Sequence, residues 1–214
     1  MQLQELLKDA LGYPFKDLKR YLILLILFFG FILVIPGILA CGYLLRIVEY
    51  SSKGMEEHPD FSDIKKLLLD GLKYIIISII FGIIFYLVSG LILTPFSPER
   101  ALTMIITILI SVLVNSFYLM SLAQMAHEGQ FKAAFEFKNI INIIQNFGWT
   151  RYLLFILVFS LIGELMNLFI EILSPYLINL GVDTAFGLIF IPLIFYTYLF
   201  IVEARYAGLL YRNN

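Results

Sequence analysis

The sequence predicts an all-α integral membrane protein with six hydrophobic passes, paired as three helical hairpins. Of its 214 residues, 61% are hydrophobic and 14% are charged, and the mean hydropathy is +0.92. Soluble domains contain about 45–50% apolar and about 25% charged residues. We therefore expect lipid to surround most of the chain, and we expect residues 1–214 to form a single membrane-embedded domain.

The four clearest elements are apolar runs long enough to cross a bilayer. A helix needs roughly 20 residues to cross a hydrocarbon core of about 30 Å. Each run has about that length and carries few charges or none, so each is predicted to be a spanning helix. The runs are Tyr74–Leu93, Ala101–Met125, Tyr152–Leu173 and Thr184–Val202.

The opening apolar stretch, Tyr21–Leu45, has two interpretations: one kinked span, or a short hairpin that turns at Pro36-Gly37. Cytoplasmic loops carry an excess of Lys and Arg. A hairpin puts 14 of the 15 Lys and Arg residues on one side, with only Arg100 on the other, whereas a single span divides them ten against five. We favour the hairpin, with both termini cytoplasmic. The second limb of this hairpin, from Gly37 to Arg46, would be only about 14 Å long, so its turn would lie inside the membrane. Irregular backbone at that depth should be covered by protein.

Internal repetition is a second reason to expect hairpins. Three units, at residues 1–54, 60–129 and 131–214, share one plan: an amphipathic segment, a basic residue beside a tyrosine, and a hairpin with proline in its turn. The amphipathic segments are LQELLKDAL, DFSDIKKLLLDGL and FKAAFEFKNIINIIQNF, and such helices suit a membrane interface. Chance similarity among six apolar passes is the alternative. The turn prolines are Pro36, then Pro95 and Pro98, then Pro175.

One segment of the chain, GYLLRIVEYSSKGMEEHPDFSDIKKLLLDGLKYIIISII, carries a family resemblance. It resembles a family of prokaryotic, mainly archaeal, multi-pass membrane proteins classed as a domain of unknown function. The resemblance is detailed over residues 42 to 80, although the family usually has Trp where this chain has Phe61. It implies a membrane location and a helical-hairpin fold, but no chemistry and no catalytic residue. The matching residues are Gly42, Tyr43, Arg46, Gly54, Pro59, Phe61, Asp63, Leu68, Gly71, Leu72 and Lys73.

A polar group inside the spans is the first candidate site. Glu164 lies near the middle of its run, and an ionisable residue there costs about 2.5–3.5 kcal/mol and usually faces the bundle interior. Asn167 follows on the same helical face, and Ser111 and Asn115 share a face of the preceding long run. This group could line a proton or cation path. Alternatively, a protonated Glu164 could hydrogen-bond a neighbouring helix and hold the bundle together.

A charge cluster near the inner interface is the second candidate site. Where the hairpins end, the segments LLRIVEYSSKG, LMSLAQMAHEG and FIVEARYAGLL can be laid over one another, and Glu49, Gln124 and Arg205 then coincide. This overlay predicts a Glu49–Arg205 pair, with Arg46 and Glu203 within a turn of it. The cluster could bind an anionic headgroup or gate a path, or its side chains could simply reach the cytoplasmic surface.

Motifs for catalysis are lacking. His58 and His127 have no partner at metal-ligand spacing, and neither a Gly-rich phosphate loop nor a nucleophile elbow occurs. We predict that the chain is not an enzyme and uses no cofactor or metal. Its net charge of −1 gives no reason to expect a nucleic-acid partner. Acidic and basic residues mix at the N-terminus, so we expect no cleavable signal peptide.

The sequence favours a channel or transporter-like protein of the cell membrane for an ion or small solute. Glu164, Asn167 and Asn115 would line its path. The alternative is a structural or lipid-interacting scaffold that works through the amphipathic segments and an aromatic-rich surface, since the chain has 20 Phe and 13 Tyr. The expected partner is the lipid bilayer. The substrate and the formation of a homo-oligomer remain open.

Overall fold

The computed structural model describes residues 3–93, 100–178 and 182–213, which form helices and short connections with no β-strand among them. This confirms the prediction of an all-helical chain. Short 3-10 turns at Gly30–Leu33 and Phe131–Phe135 precede α3 and α6. The helices are α1 (Leu3–Lys16), α2 (Leu18–Phe29), α3 (Ile35–Ser52), α4 (Ile64–Leu93), α5 (Arg100–Glu128), α6 (Phe137–Phe147), α7 (Trp149–Ile178) and α8 (Val182–Arg212).

Four of these helices are long and apolar enough to cross a membrane, and they correspond to the four predicted runs. In their most apolar windows only 11% to 39% of the residues are buried within the protein. Large apolar side chains therefore face outward, as Tyr86 and Leu91 do at 76% exposure each. Soluble monomers rarely expose such surface, whereas hydrocarbon accepts it. The four segments are Ile64–Leu93, Leu102–Glu128, Trp149–Tyr176 and Ile189–Arg212.

The opening apolar stretch consists of two helices, α2 and α3, with a break between them at residues 30–34. The break comes before the predicted turn, because Pro36 and Gly37 lie in the first turn of α3. A proline there has no helical hydrogen bond to lose. The α2 and α3 helices contact each other. The Tyr13 hydroxyl, before α2, donates to the Glu57 carbonyl, after α3, at 3.1 Å, so the chain enters and leaves this segment at one place.

The predicted proline turn at Pro175 differs from the expectation. Pro175 lies inside α7, which continues to Ile178, so the connection to α8 starts later than predicted. The helix continues past this proline because only its last turn is affected. The predicted turn with Pro95 and Pro98 lies outside the described residues.

The first and third amphipathic segments form helices α1 and α6, and both pack on protein. On α1, Leu6, Ala10 and Tyr13 are fully buried, and this helix contacts α8. On α6, Ile140 and Ile144 are fully buried, and this helix contacts α5 and α7. The chain therefore covers part of each apolar stripe, as it does on a globular-protein helix, while Leu11, Phe15 and Phe137 remain exposed.

The second amphipathic segment forms no helix of its own. Residues 60–63 are irregular, and α4 begins at Ile64 and continues without interruption to Leu93. The carboxylate of Asp63 accepts a hydrogen bond from the backbone N–H of Lys66 at 3.2 Å, which is the pattern of a helix N-cap. The prediction was wrong because the apolar run of α4 contains no residue that stops a helix between the two parts.

Three helices, α3, α5 and α8, contact one another at the centre of the bundle. Their last turns also meet. The His127 ring, at the end of α5, is 3.2 Å from the Ser52 hydroxyl at the end of α3 and 4.8 Å from the Tyr211 ring near the end of α8. Each of these helices comes from a different predicted unit, so the three segments that could be overlaid in sequence are also together in space.

Helices α3 and α4 cross with their backbones in contact, at two glycines. A Cβ atom added to Gly42 would overlap the carbonyl oxygen of Leu67, and one added to Gly71 would overlap the carbonyl oxygen of Ile38. Small residues allow this close approach between helices in a membrane. Any larger side chain at either position must push the two helices apart.

We expect Gly71→Ala to destabilise the protein by about 1–3 kcal/mol, since the added methyl group meets backbone that cannot rotate away. Thermal unfolding in detergent measures the effect. Gly82→Ala is the matched control on the same helix, because nothing lies within 4 Å of a Cβ there. Equal melting temperatures for the two variants would mean that the helices can separate at this crossing without cost.

Candidate functional site

Arg46 on α3 is buried and holds the connection that precedes α4. Its side chain is 6% exposed. The guanidinium donates to three backbone carbonyl oxygens, those of Asp60 at 3.1 Å, Ser62 at 2.6 Å and Asp63 at 2.9 Å. A planar guanidinium carries five donors in a fixed arrangement, so it can bind several carbonyls at once. Arg46 therefore fixes the irregular residues from which α4 starts.

Arg205 on α8 is also buried, at 2% exposure. Its Nε donates to the Asp9 carboxylate on α1 at 2.7 Å, and Nη1 donates to the Met55 carbonyl at 2.7 Å and the Ser51 hydroxyl at 3.2 Å. The guanidinium carbon lies 4.5 Å from the centre of the Tyr13 ring. Arg205 thus joins α1, the end of α3 and the following loop to α8.

Asp9 is held in its charged form by this arrangement. Burial alone would raise the pKa of the carboxyl, but hydrogen bonds from Lys16 and Arg205 outweigh burial and leave the pKa below its usual value. Lys16 lies 2.7 Å from the same carboxylate. The contact between α1 and α8 is therefore a charged pair at neutral pH.

The predicted Glu49–Arg205 pair is wrong. Glu49 forms an ion pair with Lys53, the residue that follows α3, and another with Lys66 at 3.7 Å. Arg205 turns instead to Asp9, because α1 packs along α8 and brings a carboxylate there. Since protein groups already surround Arg205 and Arg46, the arrangement gives no support to a headgroup site at these two residues.

The other two members of the predicted charge cluster lie apart from it. The Gln124 side chain is fully buried, and its amide nitrogen donates to the Glu136 carboxylate at 3.3 Å. Glu203 faces a cavity between the spanning helices. The predicted cluster therefore divides into separate contacts.

The four predicted intramembrane polar residues line that same cavity. It has a volume of about 280 Å³ and lies between α4, α5, α7 and α8. Glu164 and Asn167 line it from α7, and Ser111 and Asn115 line it from α5. The Ser111 hydroxyl donates to the Ile108 carbonyl of its own helix at 2.8 Å. Polar residues from two separate spans therefore lie around one space.

The cavity has a carboxylate at each of two levels. The Tyr196 hydroxyl on α8 donates to the Asn167 side-chain oxygen at 2.8 Å, which places Glu164 and Asn167 beside Tyr196. Glu203 lies seven residues after Tyr196, so it is two turns, or about 10 Å, further along α8. Within the described part of the chain, neither Glu164 nor Glu203 makes a hydrogen bond or ion pair. The hydrogen-bonded form of Glu164 that the sequence left open thus gains no support.

The rest of the wall is aromatic and aliphatic, and no basic side chain is found among its described residues. Among the described residues around the cavity, none is Lys, Arg or His. A neighbouring cavity of about 350 Å³, between α4 and α5, shares Ser111, Asn115 and Tyr118 with it. The Tyr118 hydroxyl is 2.8 Å from that of Ser78, so it stands where the two spaces meet. The aromatic residues of the first cavity are Tyr74, Tyr118, Phe159, Tyr196 and Phe200.

Glu203 and the tyrosines line the cavity, although the sequence prediction did not place them there. Glu203 directly follows the predicted run Thr184–Val202, so nothing indicated that it faces the inside of the bundle. The tyrosines gave no signal either, since aromatic residues are common at many places in membrane helices. Among the described residues, no three His, Cys, Asp or Glu side chains lie close enough to hold a metal ion together.

Four helices of spanning length and an outward apolar surface are the features of an α-helical membrane protein. Residues 23–175 match the family model described as a protein of unknown function, DUF4013. The match covers more than half of the chain, so the chain belongs to this family. No curated protein and no solved structure matches it.

Several residues behind the family resemblance now have a structural role at the α3–α4 junction. Gly42 and Gly71 permit the helix crossing, and Arg46 holds the connection. The Tyr43 ring stacks on Phe61 with ring centres 4.1 Å apart and an angle of 4° between the rings. This part of the resemblance is explained by packing. The prokaryotic, mainly archaeal distribution of the family stays a prediction.

Proposed function

We propose that the chain is a channel or transporter-like protein of the cell membrane that moves an ion or small solute through the cavity of α4, α5, α7 and α8. The observation that carries this proposal is the pair of carboxylates, Glu164 and Glu203, facing the cavity without a protein partner. Leaving ionisable groups unpaired inside a dry bundle is costly. A space that admits water or a cation removes that cost.

The topology that we propose has six passes in three hairpins, the first of which, α2–α3, is short. Its support is the contact between Tyr13 and Glu57, on either side of that hairpin, and the meeting of the last turns of α3, α5 and α8. With this topology 14 of the 15 Lys and Arg residues are on one side, and the positive-inside rule makes that side cytoplasmic. Both termini would be cytoplasmic.

The alternative of a lipid-interacting scaffold has less support, because α1 and α6 bury several of their apolar residues against other helices. A helix that binds a lipid surface needs that face free. Our proposal keeps the prediction that the chain is not an enzyme and has no nucleic-acid partner.

Flux through liposomes tests the proposal. We expect purified protein to increase the flux of protons, alkali cations or small solutes over that of empty liposomes, and we expect Glu164→Gln to reduce this flux at least about tenfold, since conduction depends on the groups that line a path. Glu171→Gln is the matched control, because Glu171 lies on the same helix but not in the cavity wall.

Two results would contradict the proposal. One is the absence of flux above that of empty liposomes for every solute tested. The other is flux that Glu164→Gln leaves at the wild-type rate, which would exclude that carboxylate from the path. Size-exclusion profiles of the two variants confirm that a loss of flux is not a loss of folded protein.

A further inference from the structure

We propose that the cavity binds an organic ammonium cation, a small molecule with a protonated or quaternary amine, between Glu203 and the aromatic wall. This inference rests on the proposed function, since it names the class of solute that the same cavity takes. It is carried by three properties of the cavity: its charge, its aromatic rings and its size.

The charge of the wall selects for cations. Two carboxylates face the space, and the described wall contains no basic side chain to neutralise them. Oxygen atoms of Ser111, Asn115 and Asn167 add further acceptors. An anion would meet uncompensated carboxylates in a region of low dielectric, where repulsion between like charges is strong.

The aromatic rings favour the binding of an organic cation over that of a metal ion. Faces of Tyr, Phe and Trp attract ammonium groups, and cages of such rings are the usual recognition site for quaternary amines. A hard metal ion instead requires about six or more oxygen ligands at short distance. Apolar side chains of Leu119, Ile156 and Leu199 occupy part of this wall. The mixture of rings, apolar groups and carboxylates therefore fits a molecule with a hydrocarbon part and a positive charge.

The rings are positioned by contacts with the protein. The rings of Tyr74 on α4 and Tyr118 on α5 meet edge to face, 6.4 Å apart at 76°. The hydroxyl of Tyr118 is held by Ser78, and the hydroxyl of Tyr196 is held by Asn167. Such contacts reduce the ordering that a ligand would otherwise have to cause.

Helix α8 brings rings and carboxylate together along one face. Tyr196, Phe200 and Glu203 follow at helical spacing, and all three line the cavity. The rings of Tyr196 and Phe200 lie 6.2 Å apart at 27°. Tyr74 on α4 and Tyr118 on α5 line the same cavity. Glu203 therefore shares this space with aromatic rings from several helices.

The size of the cavity fits a small molecule. Its 280 Å³ is close to the lower end of the roughly 300–1,000 Å³ of ligand pockets. A single water occupies about 30 Å³ of liquid, so one dehydrated ion would leave most of the space unfilled. A molecule with a trimethylammonium group and a short chain would fill much more of it.

Calorimetric binding to protein in nanodiscs tests the inference with four probes: tetramethylammonium, choline, potassium and 3,3-dimethylbutan-1-ol. The last is the neutral isostere of choline, with carbon in place of nitrogen. We expect saturable binding of an ammonium probe, with the isostere and potassium at least about tenfold weaker, because both the charge and the rings contribute.

Variants assign that binding to the cavity. Glu203→Gln should remove the preference for choline over its isostere. Tyr118→Leu should weaken ammonium binding, while Tyr118→Phe, which keeps the ring, should retain most of it. Glu49→Gln is the control, because Glu49 pairs with Lys53 outside the cavity. Thermal unfolding checks that each variant is folded, and Glu203→Ala, which also removes the carboxylate, replaces Glu203→Gln if that variant does not fold.

The inference is overturned if no ammonium probe binds, if choline and its isostere bind equally, or if the preference survives in every folded Glu203 variant. These results are distinct from a failure of the proposed function. Flux of inorganic cations without ammonium binding would leave the transport proposal standing. Ammonium binding without flux of any solute, ammonium probes included, would leave the site and overturn transport.

Discussion

Replacing Arg205 with methionine should lower the free energy of unfolding by about 2–3 kcal/mol, since a hydrogen bond to a charged group contributes about 1.5–3 kcal/mol. Methionine fills a similar volume but donates no hydrogen bond. The Asp9 carboxylate and the Met55 carbonyl would each lose a donor that now lies 2.7 Å away. Denaturant titration in detergent micelles measures the loss.

Two comparisons isolate the cause of that loss. Lys66→Met removes an ion pair whose lysine is 54% exposed, and such pairs contribute about 0–1 kcal/mol. The double variant Asp9→Asn with Arg205→Met should be more stable than the sum of the single effects predicts, because each single change breaks the same Asp9–Arg205 contact. Strict additivity would show that the two residues do not act as a pair.

The pH dependence of stability provides a further check on the same contact. The pKa of Asp9 is lower in the folded protein than its ordinary value, so the unfolded state binds the proton more readily. The contribution of this pair is therefore fully present above the unfolded pKa, near 4, and is lost as the pH falls through the folded pKa. Arg205→Met should make the acid side of the stability profile flatter.

The sequence predicted four polar residues of the cavity because of a physical requirement. A polar side chain in the middle of an apolar helix must face protein or water, so Glu164 and Asn115 had to point inward. Two inward-facing groups on adjacent helices then lie around the same space. The four spanning helices were predictable for a similar reason, since bilayer thickness sets the length of an apolar run.

The charge cluster could not be predicted in the same way. An overlay of three segments aligns positions along the chain, but it does not specify how far each helix is rotated about its axis. Arg205 and Glu203 are two residues apart on α8, so they point to different sides: Arg205 contacts Asp9, and Glu203 faces the cavity. A charge near a helix end is also compatible with either a surface or an interior position.

The sequence also could not predict whether the amphipathic segments pack on lipid or on other helices. A helix with one apolar stripe fits a lipid surface or a groove between helices equally well, because both bury the same stripe. The partner decides, and for α1 the partner is α8. The side chains of Leu6 and Ala10 are fully buried there. Only the arrangement of the whole chain contains that information.

Replacing Arg46 with leucine should release the connection between α3 and α4 and destabilise the protein by about 3 kcal/mol or more. The carbonyl oxygens of residues 60, 62 and 63 all accept from this one guanidinium. Without it the carbonyls of Asp60 and Ser62 would lose this donor, and the Asp63 carbonyl would keep only the backbone N–H of Leu67 at 3.0 Å. Hydrogen exchange over residues 55–66 reports the release directly, since the N–H groups that start α4 depend on this loop.

The variant Arg46→Lys tests whether the loop needs the positive charge of residue 46 or the planar arrangement of its donors. An ammonium keeps the positive charge, but it cannot reproduce the planar array of donors that serves three carbonyls. We therefore expect exchange in Arg46→Lys to lie between that of the wild type and Arg46→Leu. Exchange in Arg46→Leu at the wild-type rate would mean that the Tyr43–Phe61 stack and the Asp63 cap hold the loop without the arginine. The α3–α4 junction would then depend on packing alone, and Gly71→Ala would be the variant that opens it.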